Sequence, residues 1–367
     1  MITKDAGSRI FGLDLLRAFA VLTVVYAHGA AIVAHRCPAC GQMSLDGVTL
    51  FFVLSGYLIG GILIKEFQAP NPEFRALLTF WSRRWLRTLP AYFFVLALLI
   101  LLSRVLTGKF PADPYYYYFF FSQNIASVHP NFFPEAWSLA VEEWFYLVIP
   151  FTLWLLLKAT RKKLRQELPM VVIITVVLIT IVRIQQLSTG DIQTTDVWDD
   201  NLRKMVVTRL DSVMFGVLGA YLSVYHSTRW QAQKNRLFVI GVALLVIDKI
   251  MMENLIWRNY LTLSVTPMAA LLLLPKLASL KPVPYSFLRL VTFVSLISYS
   301  LYLVHFSLVK HILLKLLTEH LPPAYVSTAM LYGSYWILSI GLAWLLYRWV
   351  ELPFMKLRDV SVLSRRR

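Results

Sequence analysis

The stretch Leu13 to Val33 is apolar and long enough to cross a bilayer as a helix, yet it carries Arg17 and His28. About twenty apolar residues span the ~30 Å hydrocarbon core. There, only structures that satisfy their own backbone hydrogen bonds persist, so such a segment is committed to helix. At about 100° and 1.5 Å per residue, three turns return His28 to nearly the azimuth of Arg17, roughly 16 Å further along. An ionisable group in hydrocarbon costs roughly 2.5 kcal/mol or more, so it normally faces protein or a water-filled cavity. Two of them on one helical face point to an interior built for chemistry.

The pattern repeats along the chain. About ten apolar spans read at 13–33, 47–64, 89–106, 144–157, 169–184, 205–225, 237–252, 261–275, 291–309 and 329–349. Residues are 58% hydrophobic and only 15% charged, against about 45–50% and 25% in a soluble globule. The expected class is an all-α polytopic membrane protein. Most of the 36 Lys and Arg fall on one side of this topology, including Lys158 to Arg165 and the tail Arg365 to Arg367. That asymmetry places both termini in the cytosol by the positive-inside rule. The net charge of +16 is therefore topological, and nucleic acid is not an expected partner; membrane lipids are.

The first span is too long for a signal-peptide h-region and lacks a small-residue cleavage site, so it is expected to stay. Residues 1–355 read as one membrane domain, with 356–367 as a basic cytosolic tail. Cys37 and Cys40 form the sole C-x-x-C, in an external loop. A local disulfide, free thiols, or a zinc site borrowing His35 are the readings open there, and no metal site is expected. The external loop at about 107–143 holds an aromatic run, Tyr115 to Phe121, of the kind found at membrane interfaces. Its segment Glu135 to Glu143 is too short and acidic to span alone. It should lie at the surface or dip in under cover of protein. The loop at 185–204 carries Asp191, Asp196, Asp199 and Asp200.

Several polar groups interrupt the apolar spans. Ser55, Gly56, Gly60 and Gly61 form a small-residue stripe that admits either a neighbouring helix or a narrow ligand. Arg83, Arg84, Arg87 and Pro90 form R-R-x-x-R-x-x-P; such arginines serve as orientation signals and lipid contacts, or grip phosphates with their planar forks. Glu142 and Glu143 precede the fourth span, where acidic residues favour the helix dipole or could orient an imidazole. Ser298, Tyr302 and His305 share a face at i, i+4, i+7. Glu351, at the inner end of the last span, suits an arginine partner.

In order, these motifs resemble the integral-membrane acyltransferase family 3, inner-membrane O-acyltransferases of surface glycans. Arg17 and His28 match the family's Arg-x10-His, and Phe51 to Ile59 (FFVLSGYLI) resembles its second-span signature. Arg83, Arg84, Arg87 and Pro90 match next, then Trp137 to Leu147 (WSLAVEEWFYL), Ser298 to His305 (SYSLYLVH) and Val350 to Phe354 (VELPF). Two positions depart: Trp144 replaces a usual Gln, and Thr49 stands where a more polar or acidic residue is common. Many relatives carry a C-terminal hydrolase-like domain, which is not expected here.

The resemblance implies a multi-pass protein of the inner membrane. It implies acetyl-CoA, or another acyl-CoA, as a donor rather than a resident cofactor, and a carbohydrate or glycolipid acceptor presenting its hydroxyl from the other side. His28 is then the expected general base, its ordinary pKa being near neutrality, or alternatively a transient acyl carrier, with Glu142 or Glu143 orienting it. Arg17, Ser55, Gly56, Tyr57, Arg83, Arg84, Arg87, Trp137, Ser138 and His305 are the expected substrate and CoA contacts. A transporter or flippase of lipid-linked glycans is the competing reading; it explains the spans and the intramembrane polar groups, but not a basic cluster combined with one deep histidine.

Overall fold

A computed structural model of the chain describes residues 9–35, 37, 45–68, 72–281, 284–322 and 326–357. Every regular element among them is helical. Ten principal helices follow one another: α1 Phe11–Val33, α2 Gly47–Glu66, α3 Phe74–Thr107, α4 Ala136–Thr160 and α5 Leu164–Thr189. Then come α6 Leu210–Tyr225, α7 Lys234–Met251, α8 Thr262–Ala278, α9 Tyr285–Val304 and α10 Thr328–Leu346. Eight of these segments are long and apolar enough to cross a membrane. Of the ten segments read from sequence, the other two fall short: α6 is apolar but shorter, and α7 is not among the eight.

Two boundaries differ from expectation for one physical reason. α3 starts at Phe74 rather than near 89, so Arg83, Arg84 and Arg87 lie within the helix. Leu77 and Phe80 are buried there, and one apolar face carries the helix across the arginine motif. α4 starts at Ala136 rather than near 144, which takes Glu142 and Glu143 into the helix. Those acids are tolerated because protein donors meet them, as described below. Prolines 90, 150, 267 and 275 also sit within helices, where neighbouring groups can satisfy the freed carbonyls.

Helix ends carry recognisable stops. The Asp46 carboxylate caps α2 by accepting from the Thr49 amide at 3.2 Å, and Ser327 caps α10 through the Met330 amide at 3.1 Å. Gly108, at φ 71°, closes α3 in the left-handed region that suits glycine.

α2 is the most enclosed span. It packs along α6 through glycines on both helices: a Cβ on Gly56 would lie 1.9 Å from the Val213 carbonyl oxygen, and one on Gly216 2.0 Å from that of Val53. Without hydrophobic drive inside a bilayer, such close backbone approach is what holds helices together. By contrast, α5 turns Ile173, Leu178 and Ile181 outward, each more than half exposed. These are lipid-facing side chains.

The loop between α3 and α4 is tied down rather than loose. Tyr118 is fully buried, receives the Tyr92 hydroxyl on its carbonyl at 2.9 Å, and donates its own hydroxyl to Pro130 at 3.1 Å. Tyr116, Tyr117, Phe119 and Phe120 stay exposed, as an interfacial run should. Cys40, and the basic tail from residue 358 on, lie outside the described residues, and with Cys40 the expected Cys37–Cys40 pairing.

Candidate active site

His28 sits near the end of α1, opposite His305 at the point where α9 passes into a wide π-helical turn, His305–Leu313. Such turns are rare and concentrate at functional sites. His28 Nδ1 and His305 Nε2 are 2.7 Å apart. His305 Nδ1 contacts two carbonyl oxygens, of Leu301 at 3.1 Å and of Tyr302 at 2.8 Å. Carbonyls only accept, so Nδ1 of His305 carries its hydrogen and Nε2 is the acceptor. His28 must then donate from Nδ1, which leaves its Nε2 as the basic nitrogen. This tautomer follows from the hydrogen-bond network. Phe306, with its ring centroid 4.3 Å from that of His28, and Lys310, donating to the His28 carbonyl at 2.7 Å, complete the cradle.

His28 lines a cavity of about 390 Å³, shared with Asp46, Glu135, Trp137, Asp199 and Arg203. An ion-pair network crosses its wall: Arg203 reaches Asp46 at 3.1 Å and Asp199 at 2.7 Å, and Lys204 reaches Asp199 at 2.6 Å. Burial opposes charge on Asp46, but Arg203 and Arg209 outweigh it and hold the carboxyl well below the usual range. Burial likewise opposes charge on Arg203, and Asp46 and Asp199 keep that guanidinium above its ordinary value. Trp137 lies under Arg203, 5.0 Å from ring centroid to guanidinium. Glu135 accepts from the Ser307 amide at 3.0 Å and hydroxyl at 2.5 Å. Burial pushes its carboxyl up to about 7 despite those two donors.

A second cavity, of about 120 Å³, collects Arg17, Arg84 and Arg87 with Ser55, Ser138 and Glu142. Arg84 donates to Glu142 at 3.0 Å and also meets the Tyr146 hydroxyl. The same carboxylate accepts from Tyr146 at 2.7 Å and from Ser55 at 2.8 Å. Glu143 accepts from Thr88 at 3.0 Å. Asp14 takes a two-pronged contact from Arg9, at 2.8 and 2.7 Å, and lies 3.8 Å from Arg17. Three arginines around one pocket carboxylate make this end of the bundle attractive to anions.

Several expectations are corrected by this geometry. The partner of His28 is His305, not Glu142 or Glu143, because both carboxylates are held by donors around the arginine cavity. Arg83 points away, paired with Glu66 at 2.9 Å, since adjacent residues on a helix differ by about 100° and Arg84 takes the inward position. Gly56 and Tyr57 serve the α2–α6 contact rather than a ligand path: no atom beyond the glycine's own would fit against Val213, and the Tyr57 ring lies against Gly219. Ser55, one position earlier, does line the arginine cavity. Glu351 accepts from Ser300 at 2.8 Å. Arg17, Arg84, Arg87, Ser55, Ser138 and Glu142 do come together, as do His28, Trp137 and His305. Among the described residues, no cluster of three or more His, Cys, Asp or Glu is placed to hold a metal.

Residues 10–348 match the model of an acyltransferase domain family. The chain belongs to that family. It is 30% identical over 226 residues to the O-acetyltransferase OatA of Staphylococcus aureus, covering 58% of this chain and 34% of that protein. Against the peptidoglycan O-acetyltransferase OatA of Listeria monocytogenes it is 30% identical over 170 residues, 42% of this chain and 26% of the relative. A putative peptidoglycan O-acetyltransferase of Bacillus subtilis, YrhL, is 35% identical over 157 residues, 39% and 23% respectively. These matches span about a third or less of each relative's length. No solved structure matches the chain.

The sequence alone does not mark Asp46, Arg203, Lys204 or Glu135 as site residues. Arg203 and Lys204 lie in the loop read as merely external; its alternation of Asp199, Asp200, Arg203 and Lys204 at i, i+4 spacing was the available signal. Asp46 carried a signal too, as a cap residue directly before a membrane helix.

Proposed function

We propose that this acyltransferase-family chain moves an acetyl group from acetyl-CoA to a hydroxyl of a cell-surface carbohydrate, with His28 as general base. One observation carries the reading: the hydrogen-bond network leaves Nε2 of His28 as its basic nitrogen, and His28 lines the larger cavity. The carbonyls of Leu301 and Tyr302 fix His305, and His305 fixes His28. A base acts well when its tautomer is held and its ring cannot turn.

The steps balance without any further group. His28 Nε2 takes the acceptor's hydroxyl proton as the oxygen attacks the thioester carbonyl. The tetrahedral intermediate collapses, the carbon–sulfur bond breaks, and His28 returns the proton to the leaving sulfur, which restores the neutral imidazole. Products are the sugar ester and free CoA. His305, accepting from His28 Nδ1, stabilises the imidazolium that forms between the two steps. The arginine cavity favours the donor's phosphates at its mouth and has room within for a narrow arm rather than a nucleotide. The larger cavity, with Trp137 and paired charges, suits a polyhydroxylated ring, whose hydroxyls both donate and accept. Family membership favours this reading over a transporter.

The test is label transfer from labelled acetyl-CoA to carbohydrate in membranes holding His28→Ala at wild-type abundance. The expected result is a loss of roughly 10²–10⁴-fold, the usual worth of a positioned base. Wild-type turnover in that variant would sink the assignment.

A further inference from the structure

The two cavities share only two lining residues, Val48 and Tyr302. His28 lies on one side of this wall and Arg17, Arg84 and Arg87 on the other. Both wall residues are about 6% exposed. Tyr302 is pinned: its hydroxyl donates to the Glu135 carbonyl at 3.0 Å, contacts Ser138 Oγ at 2.6 Å, and its ring packs edge-on against Phe51. Its carbonyl in turn holds the His305 ring. Tyr302 therefore cannot swing aside without disturbing the histidine pair. Val48 stands in the first turn of α2, two residues after the Asp46 cap. A β-branched side chain in a helix has one strongly preferred rotamer, so it does not flex out of the way. Val48 is the smaller of the two residues.

We infer that Val48 and Tyr302 form a size filter between the cavities, and that Val48 sets which acyl groups can reach His28. This rests on the acyl-transfer reading above. A donor anchored among the arginines presents its carbonyl at the wall, and the carbons beyond the carbonyl must fit beside Val48. An acetyl group offers one methyl; a butyryl group adds two carbons that must also pass Val48. Trimming Val48 to alanine removes two methyl groups at that point.

The experiment measures kcat/KM for acetyl-CoA and butyryl-CoA in purified wild-type protein, Val48→Ala, Val48→Ile and Ile62→Ala. Ile62 lines the arginine cavity away from the wall and serves as the control. Val48→Ala should raise the butyryl-to-acetyl ratio by about 10-fold or more, the scale on which a pocket discriminates a methylene. Val48→Ile should lower it, and Ile62→Ala should leave it unchanged. The opposite-direction variant keeps the test open if the alanine protein folds poorly. An unchanged ratio in both Val48 variants, or an equal change in Ile62→Ala, overturns the filter while the acyl-transfer reading stands. A wild-type protein that transfers from no acyl-CoA overturns both.

Discussion

Replacing His305 separates a tautomer-fixing partner from a packing residue. In the structure its Nε2 accepts a single hydrogen bond from His28, at 2.7 Å. During the reaction that bond becomes charge-assisted, because His28 carries the extra proton. Hydrogen bonds to charged groups are worth about 1.5–3 kcal/mol. At about 1.36 kcal/mol per decade, losing this one slows the chemical step roughly 10- to 150-fold. His305→Leu, which keeps bulk and removes the acceptor, should lower kcat by that factor with little change in KM. His305→Gln, whose side-chain carbonyl can reach near the same place, should recover part of the loss. In a His28→Ala background, His305→Leu should cost almost nothing more, since residues that act as a unit are not additive. The assay is acetyl transfer with purified protein at saturating acetyl-CoA. Wild-type kcat in His305→Leu, or an additive loss in the double variant, refutes the tautomer argument.

Further outcomes follow from other contacts. Arg84→Ala should raise the KM for acetyl-CoA about 10-fold or more, the worth of one charged contact. Arg83→Ala, whose partner is Glu66, should leave it within about twofold; steady-state kinetics at matched membrane abundance decides this. Glu135 has a folded pKa of about 7, above its ordinary 4.5. The folded state therefore binds its proton more tightly, and the stabilisation is fully present below about pH 4.5 and lost as pH rises through about 7. Melting of the detergent-solubilised protein should show a component of weakening between about pH 4.5 and 7 that Glu135→Gln abolishes; identical profiles argue against a protonated Glu135. Gly56→Val should cost more than the 1–3 kcal/mol of ordinary overpacking, since its Cβ meets backbone at 1.9 Å, and should appear as lost monodisperse protein in size-exclusion chromatography.

The helices were legible because hydrocarbon leaves the backbone so little choice: each apolar run read from sequence is a helix, although α3 and α4 begin earlier than hydropathy alone implies. Hydropathy windows penalise Arg84 and Glu142 as lone charges, whereas in the fold they neutralise one another across 3.0 Å. Pairing between residues 58 apart in sequence leaves no local trace. The small-residue stripe was ambiguous for a similar reason. Glycine permits close approach without naming what approaches, and the answer, α6, lies more than 150 residues downstream.

The same limit explains the carboxylate that was expected beside His28. A catalytic imidazole needs its second nitrogen fixed, and a carboxylate is the usual way to fix it. Here two carbonyls at the start of a π-helical turn orient one neutral histidine, which orients the other, so the base is held without a buried negative charge. That arrangement suits a cavity in which Asp46 and Asp199 are already paired with Arg203 and Lys204. An additional carboxylate against His28 would have to be desolvated, a cost that a neutral histidine partner avoids. Helical spacing correctly put Arg17 and His28 along one side of α1. What spacing could not show is that Val48 and Tyr302 divide the space along that side, leaving the arginine in one cavity and the histidine in the next.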